Sequence, residues 1–129
     1  MLYAILCYHS EDVVGSWTKE EDDAVMARLA VVHDKLKKEG RFGPSVRLLP
    51  TTAATTLRKG SEPPLVIDGP YAETKEQLLG FYIVDCQNLE QAIETARDLA
   101  KANPGGAYEI RPVGLYVPNT MPALEAVPK

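Results

Sequence analysis

A chain of 129 residues and 14.1 kDa is one domain's worth of protein, long enough to bury a core of its own without disulfide staples. With 45% hydrophobic and 25% charged residues it is too apolar for disorder, and a net charge of −4 sets its surface against phosphate backbones, so no nucleic-acid partner is expected. No apolar run approaches the ~20 residues of a bilayer span, and no membrane association is expected.

The opening Met1–Tyr8 lacks a basic leader and a small-residue cleavage pattern, so it reads as a first strand, apolar on both faces, rather than a signal peptide. A loop with Gly15 and Trp17 leads to a helix. Thr18 and Glu21 have capping-box spacing, and Glu20, Asp22 and Asp23 suit the first turn. Val25, Leu29, Val32 and Leu36 form its apolar stripe, Lys35, Lys37 and Lys38 suit its last turn, and Gly40 stops it. Val46–Leu49 is extended, and Thr52–Arg58 is expected to pair back onto it as a hairpin. Beyond the turn cluster 59–64, Leu65–Ile67 is extended again and Asp68-Gly69-Pro70-Tyr71 is a rigid turn. Thr74 and Gln77 share capping-box spacing, which predicts one helical turn over Lys75–Leu79. Phe81–Cys86 is a strong strand. Asn88 caps a second long helix with a stripe of Leu89, Ala92, Ile93, Ala96, Leu99 and Ala100, and Tyr108–Val113 is the last strand. Residues 1–117 form the domain, and 118–129, with three prolines, a loose arm.

The order is that of an α+β, βαββαβ plan: an antiparallel sheet covered on one face by two helices, with an elaborated middle. Two helices cover only one face of a sheet whose first and last strands are apolar on both. A homodimer in which two sheets face each other is therefore expected. Cys7 and Cys86 lack metal-ligand spacing and a CxxC arrangement, and read as reduced, buried thiols of a soluble cytoplasmic protein. They sit near the ends of strands expected to be neighbours, which would bring the two thiols close together, although a reducing compartment argues against a bridge.

The chain carries no GxGxxG, P-loop, GxSxG or HExxH, which leaves no support for a nucleotide, metal or other cofactor. Of its two histidines, His9 reads as a loop residue. His33, beside the buried stripe of the first helix, is either a half-buried structural histidine or a base facing a cleft. Asp68, on its rigid turn, either bonds the turn's own amides or meets the imidazole and fixes its tautomer, making a general base near neutral pH. Arg47 and Arg58 are candidates for an anionic small-molecule ligand or for surface ion pairs. Tyr71 and Tyr82 are candidate substrate contacts, and Glu73 and Lys75 read as solvated charges.

Asp68-Gly69-Pro70-Tyr71-Ala72-Glu73-Thr74-Lys75-Glu76 followed by Leu79-Gly80-Phe81-Tyr82 resembles the signature of the YCII-related family, in particular its DGPF-motif branch, with Tyr71 in place of the motif's phenylalanine. Supporting residues are His33, Gly40, Leu49-Pro50, Thr56-Leu57-Arg58 and Glu109-Ile110-Arg111-Pro112. The resemblance implies a ferredoxin-like fold of the dimeric α/β-barrel superfamily and a His–Asp pair in a cleft, here His33 and Asp68. It further implies kinship with small cofactor-independent acid–base enzymes, and with genes that accompany extracytoplasmic-type sigma factors. The expectation is a lyase or isomerase acting on a small molecule. The alternative is a non-catalytic ligand-binding or regulatory module.

Overall fold

A computed structural model describes residues 1–118, so all but the first residue of the expected arm, from residue 119 on, lies outside the described residues. The elements run β1 (Leu2–His9), α1 (Glu11–Gly15), α2 (Lys19–Lys38), β2 (Phe42–Arg47), a 3₁₀ turn (Thr51–Ala53), β3 (Thr55–Arg58), β4 (Leu65–Asp68), β5 (Gln77–Asp85), α3 (Leu89–Ala102) and β6 (Ala107–Pro112). Four strands form an antiparallel sheet in the order β2-β5-β1-β6, and β3 and β4 form a separate hairpin. Without the hairpin, this is the ferredoxin-like βαββαβ arrangement.

The long helices form where their caps and stripes put them. Thr18 Oγ1 accepts from the Glu21 amide at 3.1 Å and the Glu21 carboxylate accepts from the Thr18 amide at 3.2 Å, closing the capping box of α2. At the other end, Gly40 at φ 69° takes the left-handed turn that lets the Arg41 amide reach Leu36 O at 2.9 Å. Val25, Leu29 and Leu36 are buried and Val32 packs beside them. Asn88 Oδ1 caps α3 at 2.9 Å from the Gln91 amide. The buried side of α3 carries Ala92, Thr95, Ala96, Leu99 and Ala102, whereas Leu89 and Ala100 are exposed. Both helices lie on one face of the sheet, against Tyr3 and Ile5 of β1 and Tyr82 and Val84 of β5. Strand alternation sends Leu2, Ala4, Leu6, Phe81 and Ile83 to the other face.

Four expectations are corrected. The loop before α2 contains the short helix α1, capped by Ser10 and too short to show a period in sequence. Strand β3 pairs forward with β4 (Thr56↔Ile67, Leu57↔Val66), while β2 pairs with β5. No helical turn forms at Lys75–Leu79: Thr74 Oγ1 donates to Glu76 O at 2.6 Å instead of capping, and β5 begins at Gln77. Cys7 lies opposite Gly80, whereas the Cys86 amide bonds Met1 O, so the thiols sit at opposite ends of the β1–β5 pair. Among the described residues no helix is long and apolar enough to cross a membrane.

Candidate functional site

A cavity of about 130 Å³ opens between α2 and the end of the sheet where β1 finishes and β5 and β6 begin. Val25 and Leu29 of α2 border it from above, and Cys7, Tyr82 and Tyr108 from the sheet. Its volume is close to the ~150 Å³ that holds one benzene ring in an apolar protein cavity.

His33 enters the cavity from α2. Its ring stacks on Phe42 with centroids 4.8 Å apart and planes 26° apart, and its Nε2 stands 3.4 Å from the Tyr82 hydroxyl. That separation is at the long end for a hydrogen bond, so the pair touches without being locked. Burial, then the positive charge of Lys37, lower the His33 pKa below 6.5 against the opposing pull of Asp34. The imidazole is therefore neutral at neutral pH and able to accept a proton. Tyr82 is 7% exposed, and burial pushes its hydroxyl up to about 12, which keeps it a donor.

The other predicted residues divide into two groups. Arg47 lies at the cavity rim with Nη2 3.2 Å from Asp22 Oδ1, so its guanidinium is engaged by α2. Asp68, Arg58 and Tyr71 belong to the hairpin and the turn after it. Asp68 is exposed opposite Thr55, and among the described residues its carboxylate makes no hydrogen bond with His33. The Arg58 guanidinium sits 5.1 Å above the Tyr71 ring, beside a shallow depression that also includes Leu57 and Leu65. The turn after Asp68 is held by Gly69 N donating to Ala54 O and Thr56 Oγ1 donating to Gly69 O, both at 2.8 Å. The structure thus brings His33, Tyr82 and Arg47 to one cavity and leaves Asp68, Arg58 and Tyr71 outside it.

Several cavity residues were not singled out by their pattern. His9 borders the cavity with its ring edge-on to Trp17, centroids 6.4 Å apart. The Tyr108 hydroxyl and the Asn103 side chain also belong to this region, buried beside each other, with no well-formed hydrogen bond to Tyr108 Oη or Asn103 Oδ1 among the described residues. Burial raises the Tyr108 pKa above its ordinary value, with Cys7 and Tyr82 adding to it and the Asn103 side chain opposing them. Glu11, at the start of α1, accepts from Thr51 N at 2.7 Å and Thr51 Oγ1 at 2.8 Å, while its own amide donates to Gln77 Oε1 at 2.9 Å. That clasp ties the root of the hairpin to the cavity's end of the sheet. The sequence gives little sign of these contacts, because Trp17 and Gly105 reach His9, and Thr51 and Gln77 reach Glu11, only in the folded chain.

A family model described as the YCII-related domain matches residues 1–115. The chain is also 54% identical, over 124 residues, to a protein of Rhizobium meliloti (strain 1021) named "Uncharacterized protein R00369"; the match covers 95% of this chain and all of that protein.

Proposed function

The chain belongs to the YCII-related family, and from that premise we propose that it is a small acid–base catalyst in which His33, set against the Tyr82 hydroxyl, moves a proton on a small molecule in the cavity. The observation that carries this reading is a neutral imidazole beside a neutral phenol in a cavity the size of one ring. In an isomerisation, a C–H bond next to a carbonyl breaks and its electron pair moves into the carbonyl oxygen as an enolate. The proton passes to His33 Nε2 and, where a C=C bond is conjugated with the enolate, returns to the far carbon of that bond as the electron pair leaves the oxygen and the carbonyl re-forms. No other reactant is needed. A positioned base of this kind is worth ~10²–10⁴-fold in rate. The Tyr108 hydroxyl and the Asn103 side chain, buried beside each other at the cavity, supply polar contacts to the bound molecule.

We place the chain in the DGPF-motif branch on Asp68-Gly69-Pro70-Tyr71. We also take the working unit to be a homodimer joined through the sheet face opposite the helices, which no helix covers among the described residues. Leu6, Phe81 and Val46 are cross-strand neighbours there, as are Ala4 and Ile83, so two apolar rows cross the sheet. The hairpin, with Leu57, Leu65 and Val66 more than half exposed, adds apolar surface for a second copy to cover. In this reading Asp68, Arg58 and Tyr71 belong to that hairpin surface, and Asp68 has no part in proton transfer within one chain.

Deuterium wash-in from D₂O into a panel of small carbonyl acids and cyclic ketones, followed by proton NMR, tests the catalytic reading. Wild type should exceed buffer for at least one compound, and His33→Asn should lose the excess while Tyr82→Phe retains part of it. Compounds that bind and shift the His33 ring signals without exchanging would favour the ligand-binding module associated with sigma-factor systems. For the dimer, Phe81→Glu should sediment at half the wild-type mass, and a wild-type monomer at micromolar concentration would remove it.

A further inference from the structure

We infer that His9 is a second functional histidine of the cavity, whose Nε2–H is a fixed hydrogen-bond donor to an oxyanion formed on the bound molecule. This rests on reading the cavity as a proton-transfer site and adds to its hydroxyls an oriented N–H for the charge left when His33 takes a proton.

The chain has two histidines, and both border the same cavity, His33 from α2 and His9 from the last position of β1. The backbone settles the tautomer of His9. The Ser10 amide donates to His9 Nδ1 at 2.8 Å. An amide N–H only donates, so Nδ1 must offer its lone pair, and the proton of the neutral ring then resides on Nε2. Among the described residues Nε2 has no hydrogen-bond partner. The donor is therefore oriented and unspent.

The ring is also held in place. Trp17 meets it edge-on at 82° between planes. The turn after α3 comes close against its other edge: a Cβ on Gly105 would lie 2.7 Å from His9 Nε2, and Gly105 adopts φ +95°, so glycine satisfies both the space and the backbone there. Without a side chain at Gly105 the turn packs close against the Nε2 edge without displacing the ring, and His9 and Gly105 both border the cavity.

During the transfer, His33 Nε2 receives the proton, the carbonyl oxygen gains the electron pair, and His9 Nε2–H donates to that oxygen while keeping its own proton. Return of the proton from His33 restores both rings. A single preorganised donor to a developing oxyanion is worth roughly 10²–10³ in turnover.

The probe is 4-nitrophenolate, a one-ring oxyanion whose absorbance reports both binding and protonation. 4-Nitrotoluene serves as its uncharged analogue, detected by NMR. In ¹⁵N-histidine-labelled wild type, long-range proton–nitrogen correlation should show His9 as the Nε2–H tautomer. Wild type should bind the phenolate and lower the apparent pKa of the bound phenol. His9→Asn keeps an acceptor for the Ser10 amide, but its own N–H groups stop short of where Nε2–H stood, and it should bind the phenolate roughly 10–100-fold more weakly. His9→Gln, whose amide N–H reaches about where Nε2–H stood, should retain most of the affinity, and the His9→Asn deficit should not extend to 4-nitrotoluene. Urea unfolding of both variants checks that they fold. An Nδ1–H tautomer, or equal phenolate affinity in wild type and folded His9→Asn, overturns the assignment. Uptake of nitrotoluene but not phenolate by wild type overturns the donor and leaves the cavity standing. Uptake of neither removes the cavity reading and this inference with it.

Discussion

Arg41 lies just past α2 with its side chain only 18% exposed and joins three elements. Its Nε donates to Asp85 O at 2.9 Å, Nη1 to Glu39 Oε1 at 2.7 Å, and Nη2 to Thr95 Oγ1 at 2.6 Å. The end of α2, the end of β5 and the buried side of α3 are thereby held together. A hydrogen bond from a charged donor contributes ~1.5–3 kcal/mol when its acceptor is out of water, and ~0–1 kcal/mol when water can replace it. Thr95 is 3% exposed, so its contact takes the larger figure; Asp85 and Glu39 are at the surface and take the smaller. Arg41→Met keeps the apolar stem and loses these three bonds together with the 3.4 Å contact of Nη2 with Cys86 Sγ, for an expected loss of about 2–4 kcal/mol. Arg41→Lys keeps the charge but not the fork, and should lose about half of that. Urea unfolding followed by circular dichroism, with unchanged slope, reads both. If Arg41→Met unfolds within about 0.5 kcal/mol of wild type, Arg41 does not join these elements in solution.

Three further outcomes follow from the same geometry. The His33 pKa is lowered in the fold, so the unfolded chain binds the extra proton first. The stability this contributes is present above pH 6.5 and lost as pH falls through the folded pKa, and His33→Gln should flatten that acid limb in a pH series of urea midpoints. Burial pushes the Cys7 thiol up to about 12 and Cys86 is buried, so the native protein should react slowly with a chromogenic disulfide and show both thiols promptly in urea; two fast native thiols would contradict the packing. Glu11→Gln should keep the Thr51 hydroxyl contact but weaken the bond to its amide, costing about 1 kcal/mol and speeding hydrogen exchange at Thr51 and along the hairpin.

The frame was legible because its signals are local. The capping box at Thr18 and Glu21, the Asn88 cap and the two apolar stripes each lie within a few turns of one helix, and the apolar runs of β1 and β5 are as clear. What failed depends on pairing between distant segments. Thr55–Arg58 suits either neighbour by propensity, and only the closed β2–β5 ladder leaves β4 as its partner. The capping-box spacing at Thr74 and Gln77 was overridden because Gln77 is needed as the first residue of β5 and as an acceptor for the Glu11 amide. At the site, the stripe correctly put His33 at the edge of the core, but its contacts with Phe42 and Tyr82 come from two different strands. His9 looked like a loop residue because its amide partner is adjacent, while Trp17 and Gly105 reach it only through the tertiary fold.

The hairpin leaves the sheet after β2 and returns at β5, and the Leu48 amide still bonds Leu79 O at 2.8 Å across the gap. A detour whose two ends already touch adds almost nothing to the entropy of closing the chain, since doubling such a loop costs only ~0.6 kcal/mol. The segment therefore behaves as an accessory mounted on a finished chassis. It can be trimmed, extended or redecorated in a descendant without forcing any of the four sheet strands to change neighbours.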